Sequence, residues 1–227
     1  MNRYLVKIAL GIAAIVLGWT FNSPVQGALV TKWDLNPQNL NQPAGTASRT
    51  FTVWGYSITA YGWDNIAGPD RAHNLYYKNV GDIHGLGITC APDHELQVNR
   101  DGSPAQYIQL DLSSILTAGF TNGEIKVSGI DPGEAFSLYG SNKLGKLGTQ
   151  IGSVYGSDNN NAFVNIPDFG DYDFISVVSA AGDVLPWAFM ANCPVIPEAG
   201  GTAAALALLA FSGVVMASRA IRERGVC

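Results

Sequence analysis

The residues best equipped for chemistry in this 227-residue chain are few: three cysteines and three histidines. Cys90 and His94 stand at C-x3-H spacing, with Asp93 and Glu95 beside His94 and His84 six residues before Cys90. A zinc site needs three or four nitrogen and sulfur ligands in a tetrahedral array. This run has no familiar finger spacing, and a turn held by its own polar side chains explains it as well, so the expectation is no metal there. A second set is Asp158-Asn159-Asn160-Asn161 with Asp168, Asp171 and Asp173. Its oxygens suit Ca²⁺, which takes six to eight of them. The spacing is neither EF-hand nor nonapeptide, and Asx-rich turns cap their own backbone without a cation. The expectation is therefore no cofactor, with calcium as the open alternative.

For hydrolysis the chain would need a recognisable nucleophile or acid–base pair. It contains no Gly-x-Ser-x-Gly, no Cys/His protease signature and no phosphate-binding loop. Gly85-x-Gly87 is too short for a nucleotide fingerprint. The sequence thus reads as a non-enzyme, and a secreted hydrolase is the third-ranked class, because glycosidase carboxylates carry little sequence signal. The aromatic N-terminal third offers another chemistry. Trp54, Tyr56 and Trp63, with Tyr61, Tyr76 and Tyr77, can form a platform for sugar rings, or they can simply fill a core.

The elements that must position these residues read as strands. Thr50 to Tyr61 is rich in β-branched and aromatic residues. Tyr107 to Leu112 alternates, with Ile108, Leu110 and Leu112 on one face. Glu124–Ile130, Ala135–Tyr139, Thr149–Tyr155, Ala162–Ile166, Phe174–Val178 and Leu185–Ala191 follow. Turn clusters at Asn122-Gly123, Asp131-Pro132-Gly133, 140–142, 157–161 and 181–183 separate them. Ser113 to Ala118 is at most one short helix. The predicted fold is all-β, a β-sandwich of jelly-roll-like type.

Both ends of the chain are apolar. Arg3 and Lys7 precede an uncharged run from Ile8 to Trp19. It has the length of a signal-peptide core and is short of the about 20 residues that a membrane span needs. Gly201 to Ser218 is uncharged, and Arg219, Arg222 and Arg224 follow it. As a helix this run covers about 27 Å, close to the apolar thickness of a bilayer, and the arginines would hold the tail in the cytoplasm. The expected organisation is a signal peptide (1–27), an ectodomain (28–192), a linker (193–200), a transmembrane helix (201–218) and an arginine-rich tail (219–227). Between Ala28 and Glu198 there are 8 Lys and Arg against 17 Asp and Glu, a formal charge of −9. Such a surface argues against nucleic acid as a partner. Cys90 and Cys193 would share an oxidising compartment, so they can pair as a disulfide or remain two thiols.

The linker carries a resemblance. Val195-Ile196-Pro197-Glu198-Ala199-Gly200-Gly201-Thr202, then the apolar run, then Arg219, Arg222 and Arg224, resembles the PEP-CTERM sorting domain in its Pro-Glu-Ala form. Departures are Ala199, the extra Gly201, Glu223 within the arginine cluster and the terminal Cys227. The resemblance implies Pro197, Glu198 and Ala199 as a sorting motif read by an exosortase-type membrane enzyme, and membrane attachment of the precursor through the C-terminal helix. It also implies delivery to the cell envelope or surface, in the company of exopolysaccharide. Gly81–Ile88, Glu95–Val98 and Tyr107–Leu112 also resemble a recurrent ectodomain type of such proteins. The expected function is an exported surface protein with a structural, adhesive or extracellular-matrix role; a lectin-like carbohydrate-binding module is the alternative.

Overall fold

The computed structural model describes residues 29–64, 70–90, 94–96 and 106–193. These belong to one compact unit. The domain is all-β, its pairings are antiparallel, and the single α-helix described is α1 (Ser113–Thr117). The signal peptide, the sorting motif, the transmembrane run and the arginine tail lie outside the described residues.

Fourteen strands are described: β1 (Val30–Asp34), β2 (Gln42–Pro43), β3 (Ser48–Val53), β4 (Tyr56–Asp64), β5 (Arg71–Ala72), β6 (Leu75–Val80), β7 (Ile83–Ile88), β8 (Gln106–Asp111), β9 (Thr121–Ser128), β10 (Ala135–Ser141), β11 (Thr149–Gly156), β12 (Phe163–Asn165), β13 (Phe174–Ala181) and β14 (Leu185–Asn192). A seven-stranded sheet runs β11-β10-β13-β8-β4-β3, with β5 continuing along the β3 side of β4. A four-stranded sheet runs β1-β14-β9-β12, and a three-stranded sheet runs β2-β6-β7.

Alternation creates the faces. In β4, Ile58, Ala60, Gly62 and Asp64 are buried while Ser57, Thr59, Tyr61 and Trp63 are half-buried. The outer residues still pair: Thr50 with Thr59 at 2.9 Å and Thr52 with Ser57 at 2.7 Å. β8 departs from alternation, being buried from Gln106 through Leu110. Its second face is covered by the loop after β10, whose Gly145 N–H donates to Gln109 Oε1 at 2.8 Å, while Gln109 Nε2 donates to the Lys146 carbonyl at 2.9 Å. One apolar core draws on all three sheets, from Phe51, Ile108 and Val177 through Leu75 and Leu86 to Trp33, Ile125 and Phe189. Each such side chain contributes about 1.5–3 kcal/mol of burial. Trp33 packs against Phe120 and Phe189 with ring centroids 5.6 and 5.4 Å away.

Three details differ from the sequence reading. The run Thr50 to Tyr61 is the β3–β4 hairpin rather than one strand. Its two-residue loop, Trp54-Gly55, has φ of 51° and 85°, the double left-handed pattern of a type I′ turn. Asn122-Gly123 is no connection; it lies inside β9, where the pairing with β14 shifts between Met190 and Asn192 and Asn122 takes φ 52°. Gly85 and Gly87 serve close packing of backbones. A Cβ at Gly85 would stand 2.6 Å from the Pro186 carbonyl oxygen, and one at Gly87 would stand 1.6 Å from that of His94.

Candidate functional site

Cys90, the most reactive side-chain type among the expected residues, is placed by a hairpin. In β6–β7, Leu75 pairs with Ile88, and the ladder extends one step as Thr89 N–H donates to the Asn74 carbonyl at 2.8 Å. That step carries Cys90 toward His73. His73 is held from its other side, its N–H donating to the Gly62 carbonyl at 2.9 Å. Gly62 lies two residues before Asp64, the last residue of β4, which sits between Arg71 of β5 and Gln106 of β8. The end of β4, the link from β5 to β6 and the chain leaving β7 thus bring three different donors to one place.

The geometry there is close. His73 Nε2 is 3.5 Å from Asp64 Oδ2. A carboxylate oxygen of Asp64, an imidazole nitrogen of His73 and Cys90 Sγ all lie within 4.8 Å of one another. Gln106 Nε2 donates to Cys90 Sγ at 3.6 Å. Asp64 is 7% exposed, Gln106 is fully buried, His73 is half-buried and Cys90 is exposed as a residue. Burial of the sulfur first, and then the Asp64 carboxylate, push the Cys90 thiol up to about 11, against the weaker pull of hydrogen bonds, including that from Gln106. The apo thiol is therefore protonated at neutral pH.

Beside this cluster, Trp63 stacks on Tyr107 with centroids 6.3 Å apart and planes 22° from parallel. A Cβ at Gly145 would come within 2.8 Å of the Trp63 ring. Burial, then the Asp70 carboxylate, push the Tyr107 hydroxyl up. Lys146 Nζ is 3.9 Å from an Asp70 oxygen. Elsewhere Lys126 Nζ sits 3.7 Å above the Trp187 ring, and burial, then Lys32, lower its pKa against the pull of Asp34.

The expected residues scatter. Trp54 is 66% exposed at the β3–β4 turn. Tyr56 is half-buried, edge-on to Phe120 at 4.8 Å. Trp63 lies seven residues further along β4, about 23 Å at strand rise, and on the other face, so the three do not form one platform. Cys90 and Cys193 are two free thiols in this structure, the second of the two alternatives open for them. Cys90 adjoins Gln106 of β8 in the seven-stranded sheet, whereas Cys193 follows Asn192 of β14 in the four-stranded one. His94 stacks on Tyr76 at 3.8 Å, and the group around Cys90 is completed by Asp64 and His73 instead. In the Asn and Asp loops, Asn160 Oδ1 accepts from Ile130 N–H at 3.3 Å, and Asp171 N–H donates to the Asp168 carbonyl at 3.0 Å in a main-chain turn. Asp64 and His73 were missed because His73 lies nine residues after Asp64 and Cys90 a further 17 along, and only strand register joins them. One signal was legible: Asp64 is a charge on the same strand phase as Ile58 and Ala60.

A pocket of about 300 Å³ opens beside β1 and β3, lined by Lys32, Asp34, Arg49, Thr50, Thr52 and Tyr77 among others. Its mixed charges and hydroxyls suit a small polar ligand. Comparison with protein-family models, with curated proteins and with solved structures finds no match to this chain.

Proposed function

We propose that this chain is an exported surface protein, sorted through its C-terminal segment to the cell envelope or surface, whose domain plays a structural, adhesive or matrix role without catalysis. In this reading the layered sheets form a jelly-roll-like β-sandwich, and Pro197, Glu198 and Ala199 are the segment gripped by an exosortase-type enzyme. The observation that carries it is the order along the chain: an apolar run after Arg3 and Lys7, a domain, Pro197-Glu198, a second apolar run and three arginines. Support comes from the domain itself, an all-β unit whose first strand begins at Val30 and whose last ends at Asn192, between the two apolar runs of the sequence. Pro197 fixes its own φ and disfavours helix at Ile196, keeping the linker extended for a processing enzyme. Replacing both Pro197 and Glu198 with alanine leaves the domain folded and stops surface delivery; undiminished surface labelling of that variant would refute the sorting role.

A second reading, a carbohydrate-binding module on the same surface, is favoured by one observation. Trp54 is exposed next to Thr52 and Val53, which line the pocket, so an aromatic face and hydroxyl-bearing side chains are neighbours. Exopolysaccharide is the ligand class this arrangement fits.

A further inference from the structure

The cluster at the end of β4 has the composition of a metal site. A tetrahedral ion with nitrogen, oxygen and sulfur ligands at about 2.0–2.3 Å holds its donors about 3.3–3.8 Å apart. The Asp64–His73 separation of 3.5 Å already lies in that range, and no donor pair exceeds 4.8 Å, a difference that side-chain rotation closes. Ca²⁺ and Mg²⁺ take oxygen ligands, whereas a thiolate with an imidazole selects a softer ion. The carboxylate is buried and belongs to a strand end, so it is pre-placed, and the Gln106 amide beside the sulfur is a ready outer partner for a metal-bound thiolate.

We propose that Asp64, His73 and Cys90 bind one borderline-soft divalent cation, represented by Zn²⁺, as three protein ligands with a fourth position left to water. Binding replaces the Cys90 thiol proton with a metal–sulfur bond and releases that proton to solvent. The ion ties the last residue of β4 in the seven-stranded sheet to the two chains that lead into β6 and out of β7. It therefore acts as a clamp between that sheet and the three-stranded one. This departs from the expectation of no metal, which considered Cys90 with His94.

The test is a Co²⁺ titration of the reduced, chelator-stripped full-length chain purified in detergent. The expected result is saturation at one ion per chain with a thiolate-to-cobalt charge-transfer band. Cys90→Ser abolishes the band, His73→Gln and Asp64→Asn each weaken binding at least tenfold, and Cys193→Ser and Cys227→Ser leave it intact. A wild-type chain with no saturable band overturns the proposal, as does a band that survives Cys90→Ser or vanishes with Cys193→Ser. If Cys90→Ser loses the far-ultraviolet signature of the fold, the other two ligand variants decide, and unchanged affinity in both overturns the site. The outcome is independent of where the protein is delivered.

Discussion

The indole N–H of Trp33, on β1, donates to the carbonyl oxygen of Tyr56, on β4, at 3.1 Å. This one bond joins the four-stranded sheet to the seven-stranded one, at a side chain that is wholly buried. Trp33→Phe keeps most of the volume and removes the donor, so it should cost about 1–3 kcal/mol. Trp33→Ala adds a large cavity and should cost about 3–5 kcal/mol. Urea denaturation followed by far-ultraviolet circular dichroism ranks the two; equal midpoints for both variants and the wild type would dismiss the contact.

Gly87 and Gly81 differ in what surrounds them. A methyl group at Gly87 collides with the His94 carbonyl, a backbone atom, whereas one at Gly81 meets nothing within 4 Å. Gly87→Ala should displace the segment that holds the Lys78–Glu95 ion pair and the Leu96–Val184 bridge, at the upper end of about 1–3 kcal/mol. Gly81→Ala, at φ +62°, should cost only the left-handed penalty of about 1–2 kcal/mol. Denaturant midpoints check the order, and the reverse order would contradict the packing.

Cys90 gives a pH dependence in the metal-free chain. Its folded-state value, about 11, lies above the ordinary 9.0. The sign follows from linkage: the unfolded chain releases this proton first, so the contribution is intact below pH 9 and is lost as pH climbs toward 11. Alkylation of Cys90 at pH 8 should be slower in the folded chain than in denaturant. Asp64→Asn removes the second-largest cause and should speed it. Rates by mass spectrometry of the Cys90 peptide decide, and a folded chain that reacts as fast as the unfolded one would contradict the environment described.

Trp54 separates the two functional readings. Fluorescence titration of the full-length chain with a panel of polysaccharides should show saturable quenching if the pocket beside β3 takes sugar, and Trp54→Ala should remove it without moving the unfolding midpoint. No quenching across the panel favours the purely structural role.

Much of the fold was legible because period-two alternation is set by burial on one face, as in Glu124–Val127, where Ile125 and Val127 are buried while Glu124 and Lys126 are half-buried. Tyr107–Leu112 alternates in sequence, but the loop after β10 buries its second face as well. The β3–β4 turn was not, since Trp54-Gly55 lacks the Asn-Gly pair that usually marks left-handed turn residues. Val30–Asp34 was hidden because its buried face carries Thr31 and Trp33 while Val30 is exposed, and Leu75–Val80 by its mixed polarity; both owe their conformation to partners distant in sequence. The cluster around Cys90 was half visible: Cys90 stood out by type, and Asp64 by its phase in β4, but only the register of β4, β5, β7 and β8 puts His73 between them. The convergence was a property of pairing rather than of spacing.

Mass spectrometry of the mature protein's termini, isolated from cells that make it naturally, bears most directly on export and sorting. The expected result is an N-terminus at Ala28 and a C-terminus cut at or near Pro197-Glu198, recovered from the envelope or medium. A chain that retains both Met1 and Cys227 and sediments with neither membrane nor exterior fractions would contradict the account.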